Sequence, residues 1–150
     1  KGITTFDTAD VYGDYTSEGL LGDVLHTKTE SGDDVRSKIQ IVTKTGICAP
    51  VSGKTAYKIQ HYDSSFAHII LSVTNSLRNL KTNYIGIPPC LSSSLQLIRC
   101  VDLPHPDLLL LHYPDPLMDA DEVAKAFTKL RDDVPLCIIW SILNLMEINL

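Results

Sequence analysis

The chain is poor in the features that mark several common functional classes. Only four cysteines occur, Cys48, Cys90, Cys100 and Cys137, with no CxxC pair and no zinc-finger spacing among them. That pattern excludes a disulfide framework and a finger-type zinc module. The thiols are therefore expected to be free, in a reducing, cytoplasmic compartment. Aromatic residues are scarce at 7%, and 13 Lys and Arg are outnumbered by 18 Asp and Glu, for a formal net charge of −5. Such a balance offers no counter-charge to a phosphate backbone or an anionic lipid surface, so neither nucleic acid nor membrane is expected as a partner. No apolar run approaches the roughly 20 residues a membrane helix requires, and a soluble protein is expected.

What is present is a regular alternation of two periodicities. Hydrophobic residues make up 44% of 150 positions, enough for the core of one ordinary domain. Apolar, strand-like runs occur at 3–6 (ITTF), 39–43 (IQIVT) and 107–111 (DLLLL), the last reading as a strand buried on both sides. Between them, the spacing predicts a helix over 17–28, with Leu20, Leu21, Val24 and Leu25 on one face and Ser17 near its N-cap. A second helix is predicted over about 65–80, carrying Phe66, Ile69, Ile70, Val73, Leu77 and Leu80. Asp119 and Glu122 read as a capping box opening a third helix, with Val123, Ala126, Phe127 and Leu130 inward. Residues 46–65 read as one long loop. This βαβ alternation predicts a parallel sheet or barrel.

Polar residues stop each apolar run. Asp7 and Tyr12 lie in FDTADVYG, Lys44 in IVTKTG and His112 in LLLLHYP. In a parallel α/β barrel the strand ends are where side chains meet over the active site. An ammonium held beside a phenol by a carboxylate favours the phenolate, which eases proton transfer near neutral pH. That chemistry suits reduction of a carbonyl. Other candidates are weaker. His26, His61, His68 and His105 have no partner at metal-ligand spacing, so surface positions and no metal are expected. The SGKT stretch at 52–55 lacks the upstream glycine of a phosphate loop, since Cys48 stands there. Asp10 and Glu18 are expected to be helix-dipole partners without a catalytic role.

Four segments, GITTFDTADVYGDYTSEGLLGDVL, IQIVTKTGI, SVTNSLRNLKTNYI and DLLLLHYPDPLMDADEVAKAFTKL, together resemble the aldo-keto reductase family. The last is especially similar to a bacterial-type subgroup of its oxidoreductases. The resemblance implies an α/β fold, a partial (β/α)8 TIM barrel corresponding to the N-terminal half. It implies that Asp7, Tyr12, Lys44 and His112 form a catalytic tetrad, with Tyr12 as general acid, His112 orienting the carbonyl and Asp7 also touching the cofactor. It implies NADP(H) as cofactor, with NAD(H) as the alternative, and a small-molecule aldehyde or ketone as substrate.

Residues 86–106 and 134–150 depart from the family pattern and are expected to be an atypical insert and tail within a single 1–150 domain. Translated intron or a gene-model error is the expected origin, with a genuine insertion as the alternative. A complete barrel needs about 250 residues, so the chain is expected to be a fragment, lacking most of the cofactor seat and impaired in activity. A non-catalytic regulatory or binding subunit of the same fold, as in potassium-channel β subunits, is the alternative function, and a non-functional product is a third.

Overall fold

The computed structural model describes residues 2–27, 35–51, 57–83, 85, 108–113, 115–133 and the backbone of 138–140. Three β-strands follow the predicted apolar runs: β1 (Thr5–Asp7), β2 (Gln40–Thr45) and β5 (Leu108–Leu111). A short turn α1 (Tyr12–Tyr15) and helix α2 (Ser17–Leu25) separate β1 from β2. A two-stranded ribbon, β3 (Ile47–Cys48) with β4 (His61–Tyr62), and helix α3 (Phe66–Asn79) follow β2. Helix α4 (Ala120–Asp133) then leads to β6 (Ile138–Trp140).

The main sheet runs β1-β2-β5-β6, every pair parallel. Its spatial order equals its order along the chain, with a helix in each described crossover, and this is one arc of a (β/α)8 barrel. The predicted insert at 86–106 lies outside the described residues. Of the tail at 134–150, only 138–140 is described, and it extends the sheet as β6.

Alternation along the strands separates two faces. Ile41, Thr43 and Thr45 of β2 and Leu109 and Leu111 of β5 are buried toward the helices, whereas their neighbours on the opposite face are only half-buried. The expectation that 107–111 is buried on both sides is corrected accordingly. The helix-side core joins Ile69 and Val73 of α3 to Leu109, Val123, Ala126, Phe127 and Leu130. A second cluster joins Leu25, Ile41 and Leu80. All four inward residues predicted for α4 are buried there. Among the described residues no helix is long and apolar enough to cross a membrane.

Helix α2 departs from its predicted face. Leu20 is 66% exposed and Val24 also faces water, while Glu18, Gly22 and Leu25 are buried. Gly22 is the reason: a Cβ on it would stand 2.2 Å from the Asn79 carbonyl oxygen and 2.9 Å from Leu80. The bare glycine lets α2 press against the C-terminal end of α3, which turns the Glu18 side of the helix inward. Glu18, 1% exposed, accepts a 2.7 Å hydrogen bond from Thr43 on β2. Asp10 is likewise buried and accepts a 2.6 Å hydrogen bond from Ser72 on α3. Both carboxylates are therefore interior ties between elements, a correction to the reading of them as helix-dipole partners alone. The α2 N-cap is Thr16 instead of Ser17, and its hydroxyl bonds back to the Gly13 carbonyl at 2.5 Å.

Burial pushes the Asp10 carboxyl up to about 6 from 3.8; the Ser72 hydrogen bond opposes the rise and the nearby Glu18 charge adds to it. The folded state thus favours the protonated acid. That contribution to stability is whole below 3.8 and is lost as pH rises through about 6. In Asp10→Asn, the unfolding free energy measured in urea should gain on the parent as pH rises from about 4 to about 6 and level off above that, by at most about 3 kcal/mol in all. A difference that is flat with pH would contradict a raised carboxyl. Separately, Gly22→Ala should lower stability by about 1–2 kcal/mol, because the backbone clash outweighs the roughly 1 kcal/mol gain in helix propensity. A thermal midpoint equal to or above the parent's would contradict the close helix approach.

Candidate active site

The site is built at the C-terminal ends of β1, β2 and β5. Hydrogen bonding between β1 and β2 continues past the formal strand, with Thr8 N–H donating to Val42 at 2.8 Å and Asp10 N–H to Lys44 at 3.1 Å. The chain then leaves the sheet through three successive left-handed residues, Gly13, Asp14 and Tyr15, with φ of 58°, 55° and 65°. Gly13 suits this turn twice over, since a Cβ there would also lie 2.6 Å from the Ser17 hydroxyl. A tyrosine in this region is uncommon. Tyr15 is held by its hydroxyl, which accepts from Ala49 N–H at 2.8 Å and lies 3.3 Å from the Ala49 carbonyl. Tyr12 stands at the start of this turn, anchored by its N–H to Ala9 at 3.2 Å.

Register brings the remaining groups alongside. Asp7 pairs with Val42, and Lys44 pairs with Leu110, two residues before His112. Asp7, Lys44 and His112 therefore share the half-buried face of the sheet. The Lys44 ammonium bonds the Asp7 carboxylate, donates to the Thr8 carbonyl at 2.9 Å and reaches the Tyr12 hydroxyl at 3.4 Å. It also lies 5.0 Å from the centre of the Tyr12 ring. On the other side, His112 Nε2 is 3.5 Å from the same hydroxyl, and the two rings meet edge to face with centroids 5.4 Å apart. Tyr113 stacks on His112 at 6.0 Å and leans toward Tyr62 at 6.2 Å. All four predicted residues thus converge on one point.

Exposure is graded across that point. The Lys44 side chain is 12% exposed and Asp7 65%, so the cation is sheltered while its partner faces solvent. Tyr12 is 39% exposed. Desolvation holds the His112 imidazole below its ordinary value; the Lys44 charge lowers it further and Asp7 partly offsets both. Its Nδ1 is buried with no hydrogen-bond partner among the described residues. A phenol flanked by an ammonium and a neutral imidazole can pass a proton, but none of these four groups can carry hydride.

Elsewhere the sequence reading is amended. The predicted 46–65 loop contains the antiparallel ribbon β3–β4, pairing Ile47 with Tyr62 and Cys48 with His61. His26 and His61 are exposed as expected, but His68 is half-buried against Cys48 and Asp63. Desolvation lowers its value, with Asp63 opposing the shift. The capping box is half formed: Asp119 accepts from the Asp121 and Glu122 N–H groups at 2.9 and 3.2 Å. Glu122 does not reach back, because it accepts instead from Phe66 N–H at 2.9 Å, the start of α3. Cys90, Cys100, Cys137, His105 and the SGKT stretch lie outside the described residues. Tyr15 and Ser72, which fix the turn and the Asp10 carboxyl, were not singled out from sequence; the YGDY turn offered a signal for the first, while nothing local marks Ser72.

Known proteins place this geometry in context. Residues 1–90 match the model of the Aldo/keto reductase family. The chain is 41% identical over 130 residues to 6-dehydroglucose reductase of Agrobacterium fabrum, covering 87% of this chain and 35% of that protein. It is also 41% identical over 130 residues to the uncharacterized oxidoreductase YcsN of Bacillus subtilis, with the same coverage. The chain therefore spans about a third of the length of these curated relatives. Among solved structures it resembles the holo form of aldo-keto reductase AKR11C1 from Bacillus halodurans, with TM-score 0.65 and 26% identity over 92% of this chain and 36% of that one. With its family match over residues 1–90 and its partial barrel, this chain belongs to the aldo-keto reductase family.

Proposed function

We propose that this chain carries the proton-donating side of an NAD(P)H-dependent carbonyl reductase site, acting on a small-molecule aldehyde or ketone. The observation that carries this reading is the Lys44 ammonium, which bonds Asp7 and the Tyr12 hydroxyl at once. Tyr12 is the general acid, giving its proton to the carbonyl oxygen. Lys44 stabilises the phenolate left behind, and Asp7 holds Lys44 in place. His112, as the Nε2–H tautomer, hydrogen-bonds the carbonyl oxygen and sets its approach to Tyr12. The relative named 6-dehydroglucose reductase supports reduction of a carbonyl as the reaction.

The donor set fits a nicotinamide coenzyme, because it handles protons only and needs hydride from outside. When bound, NAD(P)H supplies that hydride to the carbonyl carbon. Asp7, on the exposed side of the pair, is the residue of this chain to which the family resemblance assigns a contact with the coenzyme. NADP(H) in particular rests on the family resemblance. A cytoplasmic location is proposed with it, from cysteines that show no paired spacing.

The test is made in a chimaera, with the remaining barrel segments taken from the Bacillus subtilis relative. Tyr12→Phe should lower kcat/KM for an aldehyde by about 10²- to 10⁴-fold while leaving NADPH affinity close to the parent's. A Tyr12→Phe protein that keeps most of its activity would mean that the proton comes from another group.

A further inference from the structure

A second cluster lies beyond the tetrad, where the β3–β4 ribbon meets α3. We propose that Cys48, Asp63 and His68 form a zinc(II)-binding site that clamps this ribbon to the first turn of α3. The three residues come from β3, from just after β4 and from α3, and one potential ligand atom from each lies within 4.8 Å of the others. Cys48 Sγ is 3.8 Å from His68 Nδ1, and Asp63 Oδ2 is 3.7 Å from the same nitrogen. Ligand atoms around a tetrahedral zinc, with bonds of about 2.0–2.3 Å, stand roughly 3.3–3.7 Å apart. The nitrogen–oxygen gap is too wide for a hydrogen bond, yet it matches that spacing.

The cluster is oriented by its own surroundings. Asp63 Oδ1 accepts from Ser65 N–H at 3.0 Å, leaving Oδ2 toward the imidazole. Ser65 in turn caps α3 by accepting from His68 N–H at 3.3 Å. A thiol–imidazole–carboxylate relay for nucleophilic catalysis is disfavoured by the same geometry. The sulfur stands at nearly equal distances from the two ring nitrogens, 3.8 Å from Nδ1 and 3.9 Å from Nε2, and so is aligned with neither for proton transfer. Cys48 is moreover fully buried, out of reach of an electrophile.

One thiolate, one imidazole and one carboxylate make a borderline-soft donor set that suits zinc and disfavours calcium or magnesium. Three protein ligands leave the fourth tetrahedral position to water, and the half-exposed Asp63 provides the entry side. The ribbon begins two residues after Lys44's strand ends, so the ion would fix the loop beside the tetrad without taking part in carbonyl reduction.

Cobalt(II) titrated into the metal-free chain reads the site directly and independently of turnover. A thiolate-to-cobalt charge-transfer band with intense tetrahedral visible bands is expected, both lost when zinc(II) is added. The bands should persist in Cys90→Ser/Cys100→Ser/Cys137→Ser, where Cys48 is the sole thiol. Cys48→Ser and His68→Gln should each weaken zinc at least about 100-fold. Absence of the thiolate band in the triple variant, or zinc affinity unchanged by both single substitutions, would overturn the proposal.

Discussion

One ammonium group joins two segments of this chain that are distant in sequence. Lys44, at the end of β2, bonds the side chain of Asp7 from β1, the backbone of Thr8 and the hydroxyl of Tyr12 from the following turn. A cation so sheltered needs compensation, and an isolated buried ammonium would be costly. The compensation comes from the residues to which the proposed chemistry is assigned. Among the described residues, removing Asp7 would leave the charge facing only a carbonyl and a phenol, so the fold and the proposed chemistry draw on the same ion pair.

That arrangement depends on the depth at which each strand stops. Parallel pairing sets Asp7 level with Val42 and Lys44 level with Leu110, which carries His112 to the opposite side of Tyr12. Behind the sheet, Thr43 and Ser72 tether Glu18 and Asp10, and Gly22 allows α2 to lie close against α3. These ties hold α2 and the residues before the left-handed turn that places Tyr12. The buried carboxyls thus support the site from the helix side without touching the reacting atoms.

The proposed tetrad was legible because polar residues at Asp7, Lys44 and His112 break three apolar strand runs in order, with Tyr12 just after the first, and because the motifs around them resemble the family's. The inner face of α4 was legible because Val123, Ala126, Phe127 and Leu130 follow helical spacing and nothing competes for that face. Helix α2 misled because a glycine and a glutamate occupy its buried side while Leu20 and Val24 face water. No pattern within nine residues reveals that, since the partner of Glu18 is 25 positions away and the neighbour of Gly22 is backbone. His68 was hidden for a similar reason. Its neighbours, Cys48 and Asp63, reach it only after the ribbon folds back, and a two-residue strand is too short to announce itself.

The central claim is that Asp7, Lys44 and Tyr12 act as one unit, with Asp7 working through Lys44. The direct measurement is a double-mutant cycle on NADPH-dependent aldehyde reduction in the completed barrel, using Asp7→Asn, Lys44→Met and both together. Residues that act as a unit give strongly non-additive losses. Asp7→Asn should therefore cost little more once Lys44 is already Met. Losses that simply multiply would show the two residues acting independently and would contradict the ion pair as the organising interaction of the site.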